Sequence, residues 1–124
     1  MERGPLRDTL PGMAAGHIDE ATHVRDVGLL SDGEIATATG AAPSTVRAWL
    51  ARRNAPSGAR AERLVELSAV VERLARVIKP SYIAVWLSKP IEALDNDKPL
   101  DRIARGDYRA VARVISSIED PGAS

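Results

Sequence analysis

The chain has 124 residues, a formal net charge of zero and no cysteine. This length suits one compact domain, or one small domain with an accessory helical part. The absence of cysteine excludes disulfides and a thiolate zinc site. No signal-peptide pattern and no apolar run of about 18 residues occurs, so we expect a cytoplasmic protein without membrane contact.

Charge is distributed unevenly along the chain. Residues 1–30 hold three basic and five acidic groups, residues 31–63 hold five and three, and residues 64–124 hold nine of each. Five arginines and one glutamate lie within residues 47–63. A phosphate-facing surface needs such a cluster, although a solvated charged face would have the same composition.

The N-terminal residues predict an arm followed by a helix. Residues 1–16 combine glycine and proline with no apolar period, and we expect them to be disordered. His17 to Leu29 has apolar residues at helical spacing and predicts a first helix. His17 and His23 are six residues apart, so they do not share a helix face as a metal-binding pair would. We therefore expect no metal site.

Two short helices joined by a tight turn are predicted next. Ser31 and Glu34 form a capping-box pattern, and the helix that they start should end at Gly40, which tolerates a left-handed backbone. Pro43 suits the first turn of a second helix, which we expect to run to about Arg52. The buried side of this second helix should comprise Val46, Trp49 and Leu50.

Residues 31–49 resemble the helix-turn-helix of Xre/Cro-like repressors. Ala36, Gly40 and Val46 occupy the three most constrained places of that motif. The resemblance implies that the second helix enters the major groove of DNA. The candidate DNA-binding residues are Ser44, Thr45, Arg47, Arg52 and Arg53.

Among these candidates, Arg47 suits a bidentate contact to guanine. Arg52 and Arg53 suit phosphate contacts, which position a protein without specifying sequence. A helical hairpin without a DNA role has the same local signals, so both interpretations stay open at this point.

The second half of the chain is also predicted to be helical. A long helix from about residue 59 to 78 carries a heptad-like seam, comprising Leu64, Leu67, Val71, Leu74 and Ile78. A short helix over residues 80–87 carries Tyr82, Val85 and Trp86. Pro99 should start another short helix that Gly106 ends. Asp107 should cap the last helix, whose apolar residues Val111, Val114, Ile115 and Ile118 follow helical spacing.

An ordered string of residues in this half resembles the toxin-binding domain of Xre/MbcA/ParS-type antitoxins. The string comprises Trp86, Pro90, Leu94, Lys98-Pro99-Leu100, Arg105-Gly106-Asp107-Tyr108, Val111, Val114 and Ile118. The resemblance implies an all-α protein with three parts after the arm. These are an Xre/Cro-like helix-turn-helix head over residues 17–58, a linker helix over 59–79 and a small helical toxin-binding domain over 80–124.

The same resemblance implies a function and partners. It implies an antitoxin that blocks the active site of a NAD-degrading RES-domain toxin and represses its own operon by binding operator DNA. It also implies a homodimer and larger toxin–antitoxin complexes. The candidate toxin-binding residues lie at the end of the chain: Arg105, Tyr108, Arg109, Arg113, Glu119 and Asp120.

Other classes of function fit the sequence less well. The chain has no cysteine nucleophile, no glycine-rich phosphate loop and no cluster of metal ligands, so we expect neither an enzyme nor a bound cofactor. A stand-alone helix-turn-helix repressor without a toxin partner is the main alternative. A helical scaffolding protein is a weaker one.

Overall fold

The computed structural model describes residues 19–123, and this part of the chain is helical without a β-strand. The predicted arm over residues 1–16 and the predicted helix start at His17 lie outside the described residues. Helix α1 covers residues 19–28. The other helices are α2 (Asp32–Thr39), α3 (Pro43–Leu50), α4 (Gly58–Ala75), α5 (Pro80–Leu87), α6 (Pro99–Ala104) and α7 (Tyr108–Glu119), with 3-10 turns at Glu92–Leu94 and Pro121–Ala123.

The local signals around α2 act as predicted. The Ser31 hydroxyl accepts from the Glu34 backbone N–H at 3.1 Å, and the Ser31 N–H donates to Glu34 Oε1 at 2.8 Å. This reciprocal pair satisfies two backbone donors at the helix start. Gly40 follows α2 with a φ of 79°, and Pro43 opens α3. Helix α3 ends at Leu50, before the predicted end near Arg52.

Helix α4 lies at the centre of the core. Four residues of its predicted seam are fully buried: Leu64, Leu67, Val71 and Leu74. Val70, beside this seam, is also fully buried. The helix contacts α2 on one side and α5, α6 and α7 on others. Helix α2 also packs directly on α6, so the buried residues of both halves form one continuous cluster. The division into a head, a linker helix and a C-terminal domain stays a prediction.

Helix α5 carries no charged side chain, and the structure shows which of its faces is buried. Ile83 and Leu87 have no exposed surface, whereas Tyr82 is 57% exposed and Val85 is 52% exposed. Trp86 is half-buried against the core. The sequence drew attention to the aromatic residues of this helix and did not identify the two aliphatic residues that anchor it.

The junction between α6 and α7 corrects one expectation. Asp107 occupies the N-cap position of α7, but its side chain makes no capping hydrogen bond. Its Oδ2 instead accepts from Arg102 Nη1 at 2.8 Å. Gly106 precedes it with a φ of 84°, and Arg63 Nη1 lies 3.1 Å from where a Cβ would be. A tertiary ion pair therefore replaces the predicted local cap.

The close approach of α1 to α4 yields a stability prediction. A Cβ added at Gly28 would lie 2.8 Å from Leu30 Cδ1 and 3.1 Å from both γ-carbons of Val71. We expect Gly28→Ala to lower the free energy of unfolding by about 1–3 kcal/mol, the usual cost of overpacking a filled core. Urea denaturation measures this change.

Gly33→Ala in α2 is the matched control, because the nearest atom to its added Cβ is Ser31 Oγ at 3.9 Å. With open space around it, this alanine should raise the free energy of unfolding by about 0.5–1 kcal/mol. Equal effects of the two substitutions would contradict the close contact between α1 and α4.

Candidate partner-binding surfaces

The predicted DNA-binding residues lie on or just after α3, and the structure gives them different surroundings. Ser44 is exposed and Thr45 is half-buried. The Arg47 side chain is 58% exposed, with Nη1 3.6 Å from Asp32 Oδ2. That separation fits a loose ion pair rather than a hydrogen bond. Arg47 thus remains accessible to a ligand.

The two arginines after α3 differ in their partners. Arg52 Nη2 donates to Asp19 Oδ1 at 3.0 Å, which ties the end of α3 to α1. Arg53 is exposed and forms no ion pair with another described residue. Arg53 is therefore the more available of the two predicted phosphate contacts.

An open depression of about 460 Å³ lies beside α3. The residues around it come from α1, the start of α2, and the end of α3 with the turn after it: Arg25, Asp32, Arg47, Leu50, Ala51 and Arg53. Two of the predicted DNA-binding arginines thus share one depression, and Arg52 is not among its lining residues. Arg25 was missed by the sequence analysis, because it precedes the recognised motif and no local pattern points to it.

The outer face of α7 carries two predicted toxin-binding residues in the same environment. Arg109 and Arg113 are four positions apart, so they share one face of the helix. Both are exposed, and neither forms an ion pair with another residue that the structure describes. This face therefore offers two available guanidinium groups about one helical turn apart.

Other predicted toxin-binding residues contribute to intramolecular contacts. Tyr108 is partly buried against the core. Glu119 accepts from Arg73 Nη2 at 2.6 Å and from Arg73 Nε at 3.0 Å. The hydrogen bonds from this guanidinium lower the pKa of the Glu119 carboxyl. Asp120, the next residue, is exposed. Of the two predicted acidic residues, only Asp120 has no arginine partner among the described residues.

Arg105 joins a charge cluster around the turn before α6. Its Nη2 donates to Asp97 Oδ2 at 2.6 Å, and Arg102 Nε donates to the same oxygen at 2.8 Å. Arg102 also donates to the Leu94 carbonyl at 2.9 Å, and its side chain is only 14% exposed. Hydrogen bonds from Arg102, and then from Arg105, lower the pKa of Asp97. The sequence analysis missed the part played by Arg102, which holds this turn against α6.

Between residues 19 and 123, no group of three or more histidine, aspartate or glutamate side chains is arranged to hold a metal ion. No helix within those residues is long and apolar enough to cross a bilayer.

Comparison with known proteins places this architecture in a class. No family model matches the chain. A chain in the crystal structure of the M. tuberculosis MbcT–MbcA toxin–antitoxin complex superposes with a TM-score of 0.76 at 25% identity. The match covers 86% of this chain and 96% of that one, and it supports an all-α antitoxin fold.

The sequence comparison identifies the family. The chain is 30% identical over 87 residues to the mycobacterial cidal antitoxin MbcA of Mycobacterium bovis and of Mycobacterium tuberculosis. This alignment covers 70% of the chain and 77% of each relative. The chain therefore belongs to the MbcA family of antitoxins. Both the predicted all-α fold and the resemblance noted from the second half of the sequence are confirmed.

Proposed function

We propose that this chain binds a RES-domain toxin that degrades NAD, blocks its active site, and represses its own operon by binding operator DNA. The observation that carries the toxin-binding part is the match over 96% of a chain crystallised in a toxin–antitoxin complex. The type of toxin follows from the sequence resemblance. The roles of individual residues follow from the surfaces described above.

The toxin contact is centred on the outer face of α7. Arg109 and Arg113 are exposed, and neither forms an ion pair with another described residue. Asp120 adds an exposed carboxylate just beyond the helix. Glu119 is already paired with Arg73, which holds α7 against α4, and Arg105 is already paired with Asp97 in the turn before α6.

Charge reversal on α7 tests this surface. We expect the double variant Arg109→Glu and Arg113→Glu to lose complex formation and growth rescue when it is co-expressed with the product of the adjacent gene. Each lost charge-assisted contact should weaken binding by roughly tenfold or more. Pull-down yield and colony counts give the two measurements.

Arg76→Glu is the control, because the Arg76 side chain is 63% exposed, has only a loose 3.9 Å pair with Glu72 and lies at the end of α4. This control should neutralise the toxin as the wild-type chain does. Full rescue by the double α7 variant would move the contact surface elsewhere. Failure of the wild-type chain itself to bind or rescue would remove the proposed toxin partner.

Operator binding is supported by the geometry of α2 and α3. The capping box starts α2, Gly40 ends it, and the fully buried Val46 anchors α3 in the core, which supports the proposed helix-turn-helix. Ser44 and Arg47 remain on the outer side of α3. In this motif the early exposed side chains of the second helix meet base edges in the major groove.

We expect Arg47→Ala to reduce the difference in binding free energy between the operator and an unrelated duplex by about 1–3 kcal/mol. This is the usual contribution of one bidentate base contact. Fluorescence anisotropy with a duplex from upstream of the gene measures it. Toxin binding should be retained, since α7 is unchanged. If the variant keeps the full preference for the operator, Arg47 does not read a base.

Self-association is supported by the exposed face of α5. Tyr82 and Val85 are both more than half exposed, and no charged residue occurs between Lys79 and Lys89. Two copies of this face can meet without opposing like charges at their centre. We propose that the homodimer forms there, because a large apolar side chain left in water loses the stabilisation that burial provides.

The substitution Val85→Lys should convert the dimer to a monomer, since it places a charge at the centre of the apolar face. Sedimentation velocity of the isolated chain measures the mass. Val65→Lys, at a 39% exposed valine of α4, is the control and should stay dimeric. A Val85→Lys dimer that no longer binds toxin would assign the α5 face to the toxin instead.

A further inference from the structure

The depression beside α3 combines side chains from parts of the chain that the sequence does not connect. Arg25 lies on α1, whereas Arg47 and Arg53 lie on α3 and in the turn after it. Asp32 is the acidic residue among its lining residues. Three guanidinium groups and one carboxylate give the depression an excess of positive charge. The ligand that it suits is therefore an anion.

The contacts of the three arginines divide them into two groups. Arg47 has Asp32 within 3.6 Å, so part of its charge is already balanced. Arg53 has no ion pair with another described residue. Arg25 donates from Nε to Asp26 Oδ1 at 2.9 Å, so part of its charge is balanced too, but its two terminal nitrogens make no hydrogen bond with another described residue. Arg25 and Arg53 thus keep donors for an external ligand on the same depression.

The shape and position of the depression favour one anion class. It is open to solvent, and no fully buried polar group lines it. A charged group of an extended polymer could therefore enter the depression while the rest of the polymer stays in solvent. The terminal nitrogens of a guanidinium form a rigid fork that matches the oxygens of a phosphate group. The depression also adjoins the outer face of α3, which would face the major groove in the proposed operator complex.

We propose that Arg25 and Arg53 together hold one backbone phosphate of bound DNA in this depression. Arg25 then extends the DNA-binding surface to α1, outside the helix-turn-helix itself. The Asp32 carboxylate repels the phosphate from the α2 side of the depression. It also keeps Arg47 near α2, so that Arg47 contacts a base rather than this phosphate. This inference rests on the proposed operator binding and adds a contact that the motif does not supply.

The test is the salt dependence of DNA binding by Arg25→Gln. Because each neutralised phosphate contributes about 0.9 to the slope of log K against log salt, Arg25→Gln should reduce the slope by up to that amount, and the Arg25→Gln, Arg53→Gln double variant should lose all of it. Affinity should fall by roughly tenfold. The fall should be equal for an operator duplex and an unrelated duplex, because phosphate contacts carry no sequence information.

Two further variants sharpen the interpretation. Arg53→Gln in combination with Arg25→Gln should weaken binding by less than the product of the two single effects, since both side chains serve one phosphate. Arg76→Gln, on an exposed arginine at the end of α4, should leave affinity and slope unchanged. Circular dichroism of each variant checks that the helices are retained.

The outcomes separate this inference from the function on which it rests. If the wild-type chain binds DNA and Arg25→Gln binds with the same affinity and slope, the phosphate contact is wrong and operator binding stands. Independent losses from Arg25 and Arg53 would overturn the shared phosphate. If the wild-type chain binds no upstream duplex at low salt, operator binding fails and the phosphate contact fails with it.

Discussion

Burial of α4 is the constraint on which the two proposed binding surfaces depend. Leu64, Leu67 and Leu74 have no exposed surface, and each buried leucine contributes about 1.5–3 kcal/mol relative to an exposed one. The helix contacts α2 as well as α5, α6 and α7. The surface on α3 and the surface on α7 are therefore attached to one shared core. Their separation is set by packing rather than by the length of a flexible linker.

The parts of the fold that could be predicted from sequence are those encoded by neighbouring residues. Ser31 and Glu34 are three positions apart and bond reciprocally, while Gly40 supplies a backbone conformation that other residues rarely adopt. Pro43 and Pro80 open helices because their missing N–H is not needed there. These effects act within one helical turn, so they do not require knowledge of the tertiary structure.

The parts that could not be predicted depend on contacts between distant residues. Glu119 seemed a free acidic residue of the tail, yet Arg73, 46 positions away, binds it with two hydrogen bonds. Asp107 is a residue type that favours the N-cap position of a helix, but its carboxylate accepts a hydrogen bond from Arg102 instead. Helix α5 has no polar side from which its orientation could be deduced. In each case a contact outside the helix itself decided between alternatives that the local sequence left equal.

The pairing of charges explains how a chain with zero net charge can offer basic binding surfaces. Aspartate or glutamate lies within 4 Å of Arg52, Arg73 and Arg102, and the pairs of Arg52 and Arg73 join different helices. In the described part of the chain, Arg53 after α3 and Arg109 with Arg113 on α7 have no such partner. Exposed acidic groups more than about 10 Å from these arginines are largely screened from them at moderate salt. A ligand therefore responds to the local set of arginines rather than to the net charge of the chain.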